Sequence, residues 1–159
     1  MELYVVRHAI AFDAAPAGGD PLRALTPKGA RKFRRSVRGM RTAGLKFEHV
    51  LTSPWLRATQ TAELLAPIAK HAPIATDLLC QRPSSELLTR IAELAGHTAV
   101  VGHEPWLSEL VAWLAFGDSR HGEALDLKKG SVTLLSGGVV PGGMTIHAIL
   151  PPKLLRSLR

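Results

Sequence analysis

Leu3-Tyr4-Val5-Val6-Arg7-His8 decides how this chain folds. A short, uninterrupted apolar run is the pattern of a strand buried in a sheet, and here it stops at an arginine and a histidine. A matching segment, Ala99-Val100-Val101-Gly102, ends at His103. A third, Val50-Leu51-Thr52-Ser53, runs into Pro54-Trp55-Leu56-Arg57-Ala58-Thr59-Gln60-Thr61, which places Arg57 in the first turns of a following helix. Ligands of open α/β sheets bind beyond the carboxyl ends of the strands. Two histidines and two arginines are therefore expected to meet there around one anion.

The elements between these strands read as helices. Thr26-Pro27 supplies an N-cap followed by proline at the first helical position, Ala30, Phe33, Val37 and Met40 form the buried stripe, and Gly44 is the stop. Ser53-Pro54 opens a second helix in the same way, carrying Leu64 and Leu65 inward and ending near Pro67. Ser84-Ser85-Glu86 caps a third, with Leu87, Leu88, Ile91 and Leu94 inside and Gly96 beyond it. A fourth runs from Pro105 with Leu107, Leu110, Val111 and Leu114. Ile74-Ala75 reads as an edge strand, and 132–135 with 145–149, around two Gly-Gly pairs, as a terminal hairpin. Alternating strands and helices predict an α/β fold: a three-layer α/β/α sandwich on a mostly parallel sheet, with the last pair antiparallel.

The 159 residues fit one domain, 1–159. An apolar fraction of 46% is ordinary, and no run approaches the ~20 apolar residues that span a bilayer. The chain enters a strand at once, which argues against a signal peptide. Cys80 is the only cysteine, so an internal disulfide and a cysteine-based metal cluster are excluded, and a cytoplasmic setting is expected. The net charge of +7 is unevenly spread. No acidic residue falls between Asp20 and Glu48, an interval holding Arg23, Lys28, Arg31, Lys32, Arg34, Arg35, Arg38, Arg41 and Lys46. The Lys28–Arg41 helix thus carries a basic outer face, either simply solvated or available to an acidic protein, nucleic acid or another polyanion. No aromatics interleave with these charges, which argues against nucleic acid.

Arg7-His8-Ala9, the run Ser53-Pro54-x-x-Arg57-Ala58-x-Gln60-Thr61-Ala62, and Gly102-His103-Glu104-Pro105 resemble the histidine phosphatase superfamily, and within it the compact phosphohistidine phosphatase, or SixA-like, group. Arg23-x-Leu25-Thr26-x-x-Gly29 matches a linking motif of that group. The resemblance implies a phosphoglycerate mutase-like fold and a role in phosphohistidine signalling. It also implies a covalent phosphohistidine on His8, and since the sequence shows no metal-ligand spacing, neither cofactor nor metal is expected. His103 would then stabilise charge on the transferring group. Larger relatives insert helices over the site; this chain has little length to spare for them, so its pocket is expected to admit a phosphorylated side chain on a protein.

The residue chemistry agrees with this. Phosphoryl transfer to nitrogen needs a neutral imidazole in one tautomer, and Arg7 and Arg57 offer planar, permanently charged forks that match phosphate oxygens. Arg23 could reach the pocket from the 11–22 loop, or be an ordinary solvated arginine. The remaining histidines, His49, His71, His97, His121 and His147, have no ligand-like spacing and read as surface or packing residues.

Glu104 admits two readings: proton donor to the leaving group, or a carboxylate in a helix's first turn. The stretch 77–81, where related phosphomonoesterases and mutases place their acid, offers only Asp77 and Cys80. An alkoxide leaving group needs an acid, whereas phosphohistidine can expel neutral imidazole. Phosphohistidine on a protein is thus the first expectation, a small phosphorylated metabolite the second. A phosphate-recognition module without turnover is the third, disfavoured because recognition requires no nucleophile.

Overall fold

The computed structural model describes residues 1–158. Six strands, β1 (Glu2–Arg7), β2 (His49–Thr52), β3 (Ile74–Ala75), β4 (His97–Gly102), β5 (Val132–Gly137) and β6 (Met144–Leu150), form one sheet in the order β3-β2-β4-β1-β5-β6. The first four in that order run parallel, and β5 and β6 join antiparallel. Five helices cover it: α1 (Pro27–Thr42), α2 (Leu56–Glu63), α3 (Ser85–Ala92), α4 (Trp106–Phe116) and α5 (Pro152–Ser157). This is the mostly parallel α/β sheet expected from the alternation of apolar segments.

Strand side chains alternate between faces, and two apolar layers result. Tyr4, Val6, Val50, Ala99 and Val101 pack with Phe33, Val37 and Met40 of α1, Ala58 and Ala62 of α2, and Leu155 of α5. Leu3, Val5, Leu51 and Val100 pack with Leu87, Leu88 and Ile91 of α3 and with Leu107, Leu110, Val111 and Leu114 of α4. Both layers are needed, which is why the parallel strands read as continuous apolar runs. No helix among the described residues is long and apolar enough to cross a membrane.

Two helix starts, one helix end and one added helix differ from the sequence reading: α2 ends at Glu63, so Leu64 and Leu65 follow it in a turn ahead of a 3-10 helix over Ala66–Ile68. α2 begins at Leu56 rather than at Ser53-Pro54, with Trp55 as N-cap and no side-chain cap. The Ser53 hydroxyl is engaged elsewhere, as described below. α4 begins at Trp106, one residue after Pro105. The short helix α5 was not expected; it seats Leu155 fully buried against α1, where a Cβ at Gly39 would meet the Leu155 carbonyl oxygen at 1.7 Å.

Candidate active site

The parallel register carries the site. Arg7 of β1 lies opposite Gly102 of β4, and Thr52 of β2 opposite Val101, so the three strands reach one edge together. The next residues are His8, His103 and Ser53, all buried. The His8 amide donates to Gly102 O at 3.1 Å and the Ser53 amide to Val101 O at 3.0 Å, continuing the ladder one step past the strands. The two imidazole centroids lie 5.2 Å apart.

His8 Nδ1 is 2.7 Å from the Ala9 carbonyl oxygen. A carbonyl only accepts, so Nδ1 carries the proton and Nε2 its lone pair. Arg57 Nε donates to that Nε2 at 3.3 Å. Burial pushes the His8 pKa down to about 4; the Ala9 hydrogen bond opposes this, and the charges of Arg57, Arg7 and Lys129 reinforce it. Burial likewise lowers His103, with Arg57 and His8 adding to the effect, to about 3. Both rings are neutral at pH 7.

The α2 sequence explains how Arg57 is aimed. Residues three and four apart share a helix face, and Arg57, Gln60 and Thr61 use it together. Thr61 Oγ1 accepts from the Ala9 amide at 3.0 Å and donates to Arg57 O at 2.6 Å. Gln60 Oε1 accepts from the Leu25 amide at 2.7 Å. The helix is thereby tied to the segment after His8 and to the loop before α1. Thr26 caps α1 by accepting from the Gly29 amide at 2.9 Å, while its own amide donates to Ile10 O at 3.0 Å. A Cβ at Gly29 would meet that same Ile10 oxygen at 2.1 Å, so the glycine permits close approach.

Sequence reasoning missed three participants. Ser53 Oγ lies 2.8 Å from His103 Nε2 and 3.2 Å from Cys80 Sγ, and accepts from the Trp55 amide at 3.2 Å. Its position inside the Ser-Pro motif was the available signal. Trp55 lies under the Arg57 guanidinium, 4.8 Å from carbon to ring centroid, and beside His103 at 4.7 Å. The third is Asp20, whose carboxylate accepts from Arg57 Nη2 at 2.9 Å and from Arg23 Nε at 2.6 Å, while its carbonyl accepts from Arg57 Nη1 at 2.9 Å. Burial pushes the Asp20 pKa up, but the hydrogen bonds from Arg57 and Arg23 outweigh it, and the net shift is downward. The 11–22 loop thus presents an ionised carboxylate to the arginines.

The expected residues are placed as follows. His8, His103 and Arg57 come together. Arg7 is held from its Nη1 by Leu127 O at 2.6 Å, and its Nε is buried without a partner, as is His103 Nδ1. Arg23 reaches the site through Asp20 and also donates to Phe12 O at 2.8 Å. Glu104 does not join the histidines: it accepts from the Ser108 amide at 3.1 Å and from the Ser108 hydroxyl, in the first turn of α4. Asp77 is exposed at the start of a 3-10 turn over Asp77–Leu79. The other histidines pack or lie at the surface: His49 on His71, His97 on Glu2, His121 on Phe116, and His147 near Ser136. Among the described residues no three His, Cys, Asp or Glu side chains gather as metal ligands would.

A neutral nucleophilic nitrogen, fixed in its tautomer and ringed by arginines, suits attack on a phosphoryl group. Comparison with known proteins points the same way. A sequence profile of the histidine phosphatase superfamily (branch 1) matches residues 3–82. An uncharacterized protein of Picosynechococcus sp. is 38% identical over 147 residues, covering 87% of this chain and 86% of the relative. Phosphohistidine phosphatase SixA of Escherichia coli is 28% identical over 127 residues, covering 75% and 77%. In structure, a protein histidine phosphatase SixA complexed with tungstate superposes with a TM-score of 0.80 at 24% identity, covering 98% of this chain and 99% of the other. A SixA-type structure from Agrobacterium tumefaciens gives 0.78 at 19% identity, covering 95% and 97%. At these identities the structural matches speak for the fold.

Proposed function

Since the chain belongs to the histidine phosphatase superfamily, we propose that it hydrolyses phosphohistidine on a protein through a phosphorylated His8. His8 Nε2 attacks phosphorus in line with the scissile P–N bond. A phosphohistidine protonated on its second ring nitrogen leaves as neutral imidazole, so no proton need be delivered at the scissile nitrogen. Arg7 and Arg57 meet the equatorial oxygens. In the His103–Ser53 pair one hydrogen bond uses one proton, and whichever partner donates it, the pair keeps a further N–H or O–H for the phosphoryl group.

The Ala9 carbonyl matters again in the second step. It keeps the proton on Nδ1, so phospho-His8 is itself a protonated phosphoimidazole. Water attacks phosphorus, the P–Nε2 bond breaks, neutral His8 returns, and both protons of the water leave with inorganic phosphate.

The observation that carries the choice of substrate is the absence, among the described residues, of a carboxylic acid poised beside His8. Glu104 is engaged by Ser108, and Asp20 is held ionised by two arginines. An alkoxide with a conjugate-acid pKa of roughly 15 would leave poorly from such a site, and a phosphoramidate would not. The test is phosphate release by the purified protein, in EDTA, from phosphohistidine, aryl phosphates and alkyl phosphates. Phosphohistidine is expected to give the highest kcat/KM and alkyl phosphates the lowest. Alkyl phosphates turned over fastest, or activity that needs an added divalent ion, would overturn the proposal.

A further inference from the structure

On the α1 side of the sheet, against the Ala9-Ile10 segment that follows His8, lies a small cavity of 120 Å³. Lys32, Lys129 and Arg156 line it, with Ala9, Ile10 and Ser36, and no acidic residue does. All three cations are half-buried. None has a carboxylate within 4 Å among the described residues, nor has any of Lys28, Arg31, Arg34, Arg35, Arg38 and Arg41 on the exposed side of α1. Elsewhere the protein does pair its arginines, as at Arg82–Glu109, Arg90–Glu93 and Arg120–Asp118. Three half-buried like charges around one cavity repel one another at a cost to stability, and an anion seated among them relieves it.

The cavity reaches the backbone on either side of the His8 segment. Ala9 follows the nucleophile, and the Gly130 amide, directly after Lys129, donates to Arg7 O at 3.0 Å and His8 O at 3.1 Å. Gly29, which holds α1 against Ile10, also lines the cavity, so the close packing that orders the loop after His8 also brings Lys32 to this place.

We propose that Lys32, Lys129 and Arg156, continued by the exposed cations of α1, form a dock for acidic side chains flanking the phosphohistidine of a protein substrate. This rests on the phosphohistidine reading above. The dock takes carboxylates because its cations are dispersed over a helix face and a side cavity, and the aromatic that lines the cavity, Phe33, is buried in the core and leaves no open ring face for a base. Its effect is on capture of the substrate, and it leaves the chemistry at His8 unaltered.

The experiment uses two synthetic peptides with one central phosphohistidine, flanked by four glutamates or by four glutamines, and p-nitrophenyl phosphate as a small substrate. Wild type is expected to show kcat/KM about 10-fold higher on the glutamate peptide at low ionic strength, and nearly equal values in 0.5 M NaCl, where the Debye length is only a few Å. The double variant Lys32→Glu, Arg156→Glu should lose the preference while hydrolysing p-nitrophenyl phosphate as wild type does. Equal rates on both peptides in wild type would overturn the dock, as would a preference surviving in the double variant. An RNA oligonucleotide that binds tightly and is released by the double substitution, with the peptides hydrolysed equally, would assign the surface to nucleic acid instead. Hydrolysis of neither peptide alongside rapid hydrolysis of alkyl phosphates would refute the substrate reading itself.

Discussion

Arg57 Nε donates a hydrogen bond to His8 Nε2 across 3.3 Å, so the arginine proposed to clamp phosphate also senses the protonation state of the proposed nucleophile. The contact forms only when Nε2 holds a lone pair. In the proposed mechanism it yields when Nε2 attacks, which leaves the Arg57 fork to follow the phosphoryl oxygens.

His8→Ala is expected to fall to background turnover while folding normally, since no other nitrogen shares its place at the end of β1. Rapid acid-free quenching of wild type with labelled substrate should leave phosphate on His8. Retention of most activity by the variant would sink the covalent route.

Arg57→Ala and His103→Ala should each lower kcat by 10²–10³, the range for removing a preorganised donor, roughly 2.7–4 kcal/mol. Arg57→Lys should recover only part, because an ammonium cannot reach Nε2 and phosphate as a fork does. Steady-state kinetics showing a raised KM with unchanged kcat would move both residues to ground-state binding.

The depressed histidine pKa values set a pH dependence of stability. An unfolded imidazole titrates near 6.5, whereas folded His8 and His103 do so at about 4 and about 3. Between those limits the unfolded chain takes up protons that the folded chain does not, so stability is lost as pH falls from 6.5. The slope is up to about 1.4 kcal/mol per pH unit for each histidine. Urea denaturation at pH 7 and pH 5 should show the loss, and His8→Asn should shrink it. A variant as pH-sensitive as wild type would contradict a buried, neutral His8.

Asp20 is paired with Arg57, so under the proposed role of Arg57 it would compete with a bound phosphate. Asp20→Asn should tighten binding of inorganic phosphate at pH 7 by about 2- to 5-fold, the scale of a half-exposed ion pair of about 0.5–1 kcal/mol. Isothermal titration gives the answer directly. Weaker binding would show that the carboxylate holds Arg57 in position more than it obstructs it.

Glu104→Gln keeps the hydrogen bonds to Ser108 but removes the charge at the start of α4. A loss of about 0.3–1 kcal/mol in stability is expected, with little change in rate on phosphohistidine or aryl phosphates. A much larger loss confined to alkyl phosphates would restore Glu104 as proton donor.

The architecture was legible because local pattern and burial coincide. Leu3–Val6 and Ala99–Val101 are apolar at every position because helices cover both faces, and caps such as Thr26 and Ser84 do their work inside three residues. Ser53-Pro54 misled for the same local reason. The motif has the form of an N-cap, but the hydroxyl is drawn to His103, fifty positions away, and the helix starts later.

By itself the sequence determined the six strands, four of the five helices, and which edge would receive His8, Arg57 and His103, since these follow from periodicity and from what stands where each run ends. Only the tertiary structure decided the protonation and pairing of those groups. The Ala9 carbonyl fixes the His8 tautomer, Asp20 folds back on Arg57 and Arg23, Glu104 turns to Ser108, and Lys32 meets Arg156 across α1 and α5. Desolvation and charge act over a few ångströms of space, and sequence separation carries no record of which groups the folded chain brings within that range.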